Sequence, residues 1–165
     1  MISQRITPCL WFDDQGEEAA NFYVGIFKNS RINAITRYPS AGQEIHHRPP
    51  GSVMVVSFEL DGQSMTALNG GPIFTFNEAV SLQVNCKTQE EIDYYWEKLG
   101  AGGDPKAQQC GWLKDKYGLS WQIVPGGMED MLKDADSPAA QRAMVAMLQM
   151  KKIDMNALQR AYDGR

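Results

Sequence analysis

The chain holds only two histidines and three cysteines, so strong nitrogen and sulfur donors are scarce. Cys9, Cys86 and Cys110 form no C-x-x-C pair, and their odd number argues against a closed disulfide framework. They read as reduced, small buried hydrophobes, with a catalytic thiolate as the alternative at one of them. Long apolar runs are also missing. Val53 to Val56 falls far short of the ~20 residues that span a bilayer, and Met1-Ile2-Ser3-Gln4 lacks a signal-peptide pattern. These absences point to a cytoplasmic protein with no membrane partner. A basic excess is lacking too: the formal net charge is -4 and the Lys and Arg are spread along the sequence, which argues against a nucleic acid partner. The first apolar run ends in Asp13-Asp14-Gln15-Gly16, without the G-x-G turn that nucleotide-type cofactor sites use.

What remains is ordinary globular composition, 43% hydrophobic and 22% charged, over a length of 165 residues that suits one domain. Ile6 to Phe12 reads as a strand. Glu17-Glu18 then open a helix in which Ala19, Phe22, Tyr23, Ile26 and Phe27 recur at helical spacing, stopped by Asn29-Ser30. Ile32 to Tyr38 is a further strand, and Pro39 to Gly51 a polar loop that carries His46 and His47. Ser52 to Leu60 and Ser64 to Asn69 flank Asp61-Gly62, the signature of a hairpin.

After a linker the pattern restarts with a strand over Ala79 to Cys86 and a helix over Gln89 to Leu99. The pairs Glu17 and Glu90, Phe22 and Tyr95, Tyr23 and Trp96, and Ile26 and Leu99 all lie 73 residues apart. Gly62, Ser64, Gly70 and Gly71 reappear as Gly118, Ser120, Gly126 and Gly127 at a spacing of 56. Shared spacing at helix and turn positions indicates a duplicated unit. The expectation is an α+β fold of two β-α-β-β-β units, residues 5–71 and 78–127, followed by a helical extension over 128–165. In that extension Ser137-Pro138 is an N-cap pair, Ala143, Met144, Met147 and Leu148 keep helical spacing, and a last helix runs from Asp154 to Tyr162.

The runs ITPCLWFDDQGEEAANFY, ALNGGPIFTFNEAVSLQVNC, EEIDYYWEKL, CGWLKDKYGLSWQIVPGG and KIDMNALQRAY resemble the PhnB-like branch of the vicinal oxygen chelate superfamily. That superfamily includes glyoxalase I, ring-cleaving dioxygenases and bleomycin-resistance proteins, and this branch is often labelled 3-demethylubiquinone-9 3-methyltransferase. The resemblance implies a pocket lined by both units, with metal ligands on the first and last strand of each. Aligning Leu10 with Leu82 puts Thr7 and Ala79 at the first-strand ligand positions, and Thr66 and Gln122 take the last-strand ones. None of the four supplies an imidazole, carboxylate or thiolate, so neither metal nor cofactor is expected.

Because side chains alternate along a strand, the same cavity should be lined by Thr7, Cys9 and Trp11, by Ser81 and Gln83, and by Ser64, Thr66, Ser120 and Gln122. Trp112 and Cys110 stand near its mouth. Aromatic surface with uncharged hydrogen-bonding groups suits a neutral or weakly polar organic molecule. Serine and threonine on strands also serve neighbouring backbone groups, and Trp11 could equally be core. Gln83 and Gln122 argue more strongly for a ligand, since a buried amide without partners is costly. His46 and His47 read as solvated loop residues with acid-base work as a secondary role. Asp115-Lys116 reads as turn chemistry. The functional expectation is a metal-free small-molecule binding protein that forms a homodimer through its Met-rich C-terminal segment. The alternative is a metal-independent enzyme on a small organic substrate, the labelled methyltransferase activity included.

Overall fold

The computed structural model describes residues 4–165. The chain divides into two compact units, the first ending at Thr75 and the second spanning Phe76–Arg165.

In the first unit β1 (Cys9–Phe12), α1 (Gly16–Ile26), β2 (Arg31–Arg37), α2 (Gln43–His46), β3 (Val53–Leu60) and β4 (Gln63–Asn69) follow in order. The sheet order is β1-β4-β3-β2, with β1 parallel to β4 and the other pairs antiparallel. Period-two alternation sends Val56, Phe58, Leu60, Met65 and Ala67 to one face, where the buried stripe of α1, Ala19, Ala20, Tyr23 and Ile26, covers them. Burial of each large apolar side chain in this layer contributes about 1.5–3 kcal/mol. The β3–β4 turn has positive φ at both Asp61 and Gly62, the two-residue geometry that follows the twist of a hairpin.

Asn69 ties this unit together. Its buried Oδ1 accepts from the Gly16 backbone N–H at 2.7 Å, its Nδ2 donates to the Val53 carbonyl at 3.2 Å, and its own carbonyl accepts from Tyr38 Oη at 2.7 Å. A Cβ at Gly16 would lie 2.6 Å from that Oδ1, so the start of α1 admits only glycine without rearrangement.

The second unit runs β5 (Ser81–Cys86), α3 (Gln89–Gly100), β6 (Trp112–Lys114) and β7 (Ser120–Pro125), in sheet order β5-β7-β6. Ile92 and Leu99 of α3 are buried in a core that also holds Leu113, Trp121 and Ile123. Where the first unit places β2, the second has a short 3-10 turn at Pro105–Ala107 and an isolated bridge between Gln109 and Trp112. The repeat is therefore one strand shorter here, and β6 forms the edge of this sheet.

Three helices complete the second unit: α4 (Met128–Leu132), α5 (Pro138–Leu148) and α6 (Met155–Asp163). Ser137 caps α5 by accepting from Ala140 N–H at 3.1 Å, and Asp154 caps α6 by accepting from Ala157 N–H at 2.8 Å. The segment between them is stitched to the repeat, with Cys110 and Gly111 donating to the carbonyls of Met150 and Lys151, both at 2.8 Å. Gln89 donates to the Ile153 carbonyl and accepts from Met155 N–H, and Ile153 is fully buried. Among the described residues no helix is long and apolar enough to cross a membrane.

Candidate functional site

Each sheet has one face under a helix and one face free of it. In the first unit Cys9, Thr66 and Ser57 form one row across the free face, and Trp11, Leu68 and Val55 form the next. Cys9 is exposed, while Thr66 and Trp11 are half-buried. Thr66 is bound to the chain beside it, its N–H donating to the Pro8 carbonyl at 3.0 Å. Trp11 is held more firmly. Its Nε1–H donates to the Gly71 carbonyl at 2.8 Å, Phe74 meets its ring edge-on at 5.0 Å, and a Cβ at Gly70 would lie only 2.2 Å from its Cζ2. The indole therefore offers a ligand its apolar surface and not its N–H.

In the second unit Ser81, Ser120 and Lys114 share one row, and Gln83, Gln122 and Trp112 share the next. Gln122 Nε2 donates to Ser81 Oγ at 2.9 Å, which leaves the Ser81 hydroxyl proton free to point elsewhere. Gln83 Nε2 donates to Asn85 Oδ1 at 2.8 Å. Ser120 is 1% exposed, and its Oγ is buried without a hydrogen-bond partner among the described residues. Lys114 is ion-paired with Glu78, and the hydrogen bond from that ammonium holds the Glu78 carboxyl below the usual carboxylate range. A cleft of about 250 Å³ adjoins this face, lined by Gln83, Asn85, Val124 and Glu129 among others. A wider, more open groove of about 660 Å³ runs between α5 and α6, but it holds none of these groups. Its Arg142 is committed to the Ala161 and Tyr162 carbonyls at the end of α6.

Several sequence expectations change. Thr7 and Ala79 lie before β1 and β5 respectively and are exposed, so neither occupies a strand position. The ladders pair Cys9 with Thr66 and Gln83 with Gln122, which equates Cys9 with Gln83 and moves the alignment of the two first strands by two residues. An even shift keeps every side chain on its face. Gln83 is exposed, so the desolvation argument fails for it and holds only for half-buried Gln122. Cys110 sits in a left-handed turn with φ 51°, its backbone engaged by Met150.

The histidine loop is locally packed. The His46 ring lies against Tyr38 with centroids 4.8 Å apart, and its Nδ1 accepts from Arg48 N–H at 3.0 Å. Asp115 is buried at the head of the β6–β7 turn. Its Oδ1 accepts from the N–H groups of Tyr117 and Leu119, and its Oδ2 from Trp121 Nε1 at 2.8 Å. Lys114 and Ser120 bracket that turn; sequence reasoning placed Ser120 among the cavity-lining side chains and did not single out Lys114. The signal for Ser120 was the repeat itself, which matches it with Ser64.

Residues 4–124 match the family model described as 3-demethylubiquinone-9 3-methyltransferase. The chain belongs to that family. A solved structure described as a putative 3-demethylubiquinone-9 3-methyltransferase, PhnB protein, from Bacillus cereus is 38% identical, covering 74% of this chain and 100% of its own, with a TM-score of 0.63. At the level of fold alone, protein PA1353 from Pseudomonas aeruginosa is similar at 17% identity, 75% and 98% coverage and a TM-score of 0.58. The fosfomycin resistance protein FosX from Listeria monocytogenes, described in complex with Mn(II) and sulfate, is similar at 19% identity, 82% and 99% coverage and a TM-score of 0.52. No curated protein matches. The chain is thus a PhnB-like member of the vicinal oxygen chelate superfamily. The family match ends at the last strand, and the three C-terminal helices lie beyond it.

The superfamily implies a divalent metal, and the residues present do not fit one. The free faces offer hydroxyls, amides, one thiol, the Lys114 ammonium and the Glu59 carboxylate, which is already ion-paired with Arg31 at 2.9 Å. Among the described residues no three His, Cys, Asp or Glu side chains gather. Neutral oxygen donors do not offset the dehydration of zinc or nickel, and an ammonium repels a cation.

Proposed function

We propose that the protein binds a small organic molecule on the helix-free faces of its sheets without a metal, as a cytoplasmic homodimer. The observation that carries this reading is the donor set of each face taken by itself: the Thr66 hydroxyl in the row next to the Trp11 indole in the first unit, and the Ser81 and Ser120 hydroxyls and the Gln122 amide with the Trp112 indole in the second. Such a mixture of apolar surface and a few directed polar groups suits an organic ligand. The family description favours a second reading, methyl transfer. Against it stands the turn from β1 into α1, Asp13-Asp14-Gln15, which lacks the glycine-rich cradle that a nucleotide-type cofactor needs. Saturable binding of S-adenosylmethionine in calorimetry would restore it. For the dimer, α5 supplies an apolar strip, Met144, Val145 and Leu148, which are 38%, 61% and 52% exposed.

Native mass spectrometry of protein purified without added ligand reads both claims at once. The expected spectrum is that of a dimer carrying an organic adduct, converted toward monomer by Met144→Glu. A monomer without adduct, unchanged by a library of small organic molecules, would contradict the reading.

A further inference from the structure

The proposed binding face in the second unit has a chemically distinct end. Ser120 Oγ is buried and unpartnered. Leaving a buried hydroxyl unsatisfied is costly, so its persistence calls for an explanation beyond packing. Its two register neighbours are Ser81 on β5 and Lys114 on β6. Ser81 accepts once, from Gln122, and keeps its O–H for another partner, while Lys114 carries only donors. The row therefore presents two hydroxyl protons and an ammonium, donors that suit an acceptor bearing negative charge. Lys114 already shows this preference, since it takes a carboxylate from Glu78, a residue outside the strands whose side chain is 63% exposed. Lys114 stands on edge strand β6 and is itself a quarter exposed, which marks the side from which a ligand group enters.

We infer that Ser120, Ser81 and Lys114 form a carboxylate-binding end of the ligand face, with Glu78 as an internal competitor for the same ammonium. This inference rests on the reading of the protein as a small-molecule binder and deepens it. One ligand oxygen accepts from the Ser120 and Ser81 hydroxyls, the other meets Lys114 in place of Glu78, and Trp112 in the adjoining row flanks the organic body. Charge-assisted hydrogen bonds of this kind are the strong ones.

Benzoate and its neutral counterpart benzamide serve as probes, titrated into the full-length protein by calorimetry. Benzoate should bind at least about fivefold more tightly than benzamide. Ser120→Ala should weaken benzoate about five- to tenfold while raising the melting temperature of the ligand-free protein, because it removes a hydroxyl that has no partner. Lys114→Met should weaken benzoate about tenfold and leave benzamide nearly unchanged, and Glu78→Gln should tighten benzoate. A purely structural Ser120 would instead lower the melting temperature on substitution and leave the probes unaffected. Equal affinities for the two probes, or no benzoate binding at millimolar concentration, would overturn the carboxylate end. The wider reading would then stand or fall separately, on the organic adduct in the native mass spectrum.

Discussion

At the scale of single residues, the three thiols separate by environment. Cys86 is fully buried at the end of β5, and that burial pushes its thiol up to about 11, with the Glu91 charge adding to the shift. Cys9 is exposed on the free face and Cys110 is half-buried. Since the thiolate is the nucleophile, Cys86 is inert at neutral pH, and the sequence reading of a small buried hydrophobe holds for it alone. Iodoacetamide at pH 8 should modify Cys9 first and leave Cys86 unmodified until the protein unfolds. Peptide mapping that found equal rates would contradict this. The raised value also sets a sign for stability. The folded state keeps the Cys86 proton longer than the unfolded chain does, so its contribution is intact below about pH 9. It is lost as pH rises toward about 11, at a slope of about 1.4 kcal/mol per pH unit that Cys86→Ala should abolish.

Elements were legible wherever a local signal determined them. Asp61-Gly62 announced the β3–β4 hairpin, Ser137-Pro138 the start of α5, and the paired acids both repeat helices. The starts of β1 and β5 were not legible. An apolar run does not record where pairing begins, and Pro8, with no N–H to give, joins the ladder only through its carbonyl. Nor was the loss of one strand in the second unit, since helix and turn spacings fix the ends of a repeat and not its middle. The site was legible as faces, through alternation, but not as partners: that Gln122 spends its amide on Ser81 is a matter of register. Asp115 illustrates a turn reading that holds. It accepts from three donors, Tyr117 N–H, Leu119 N–H and Trp121 Nε1–H. Asp115→Asn keeps one acceptor oxygen but turns an NH₂ toward one of those donors. The urea midpoint should fall by the equivalent of about 1–3 kcal/mol with the slope unchanged, and an unchanged midpoint would refute the turn role.

At the scale of the whole molecule, the C-terminal helices extend the second unit beyond the family core. Their attachment is specific, through Cys110, Gly111 and Gln89 to the segment Met150 to Met155. The proposed dimer would use the exposed strip on α5, Met144, Val145 and Leu148. The central claim concerns the donor set on the two free faces, which departs from the metal chemistry of the superfamily. Elemental analysis of the purified protein, with its melting temperature recorded before and after chelation, tests that claim most directly. The expected result is well under one divalent ion per chain and a melting temperature unmoved by the chelator. One tightly held zinc, nickel, manganese or iron per chain, whose removal lowers the melting temperature, would contradict it.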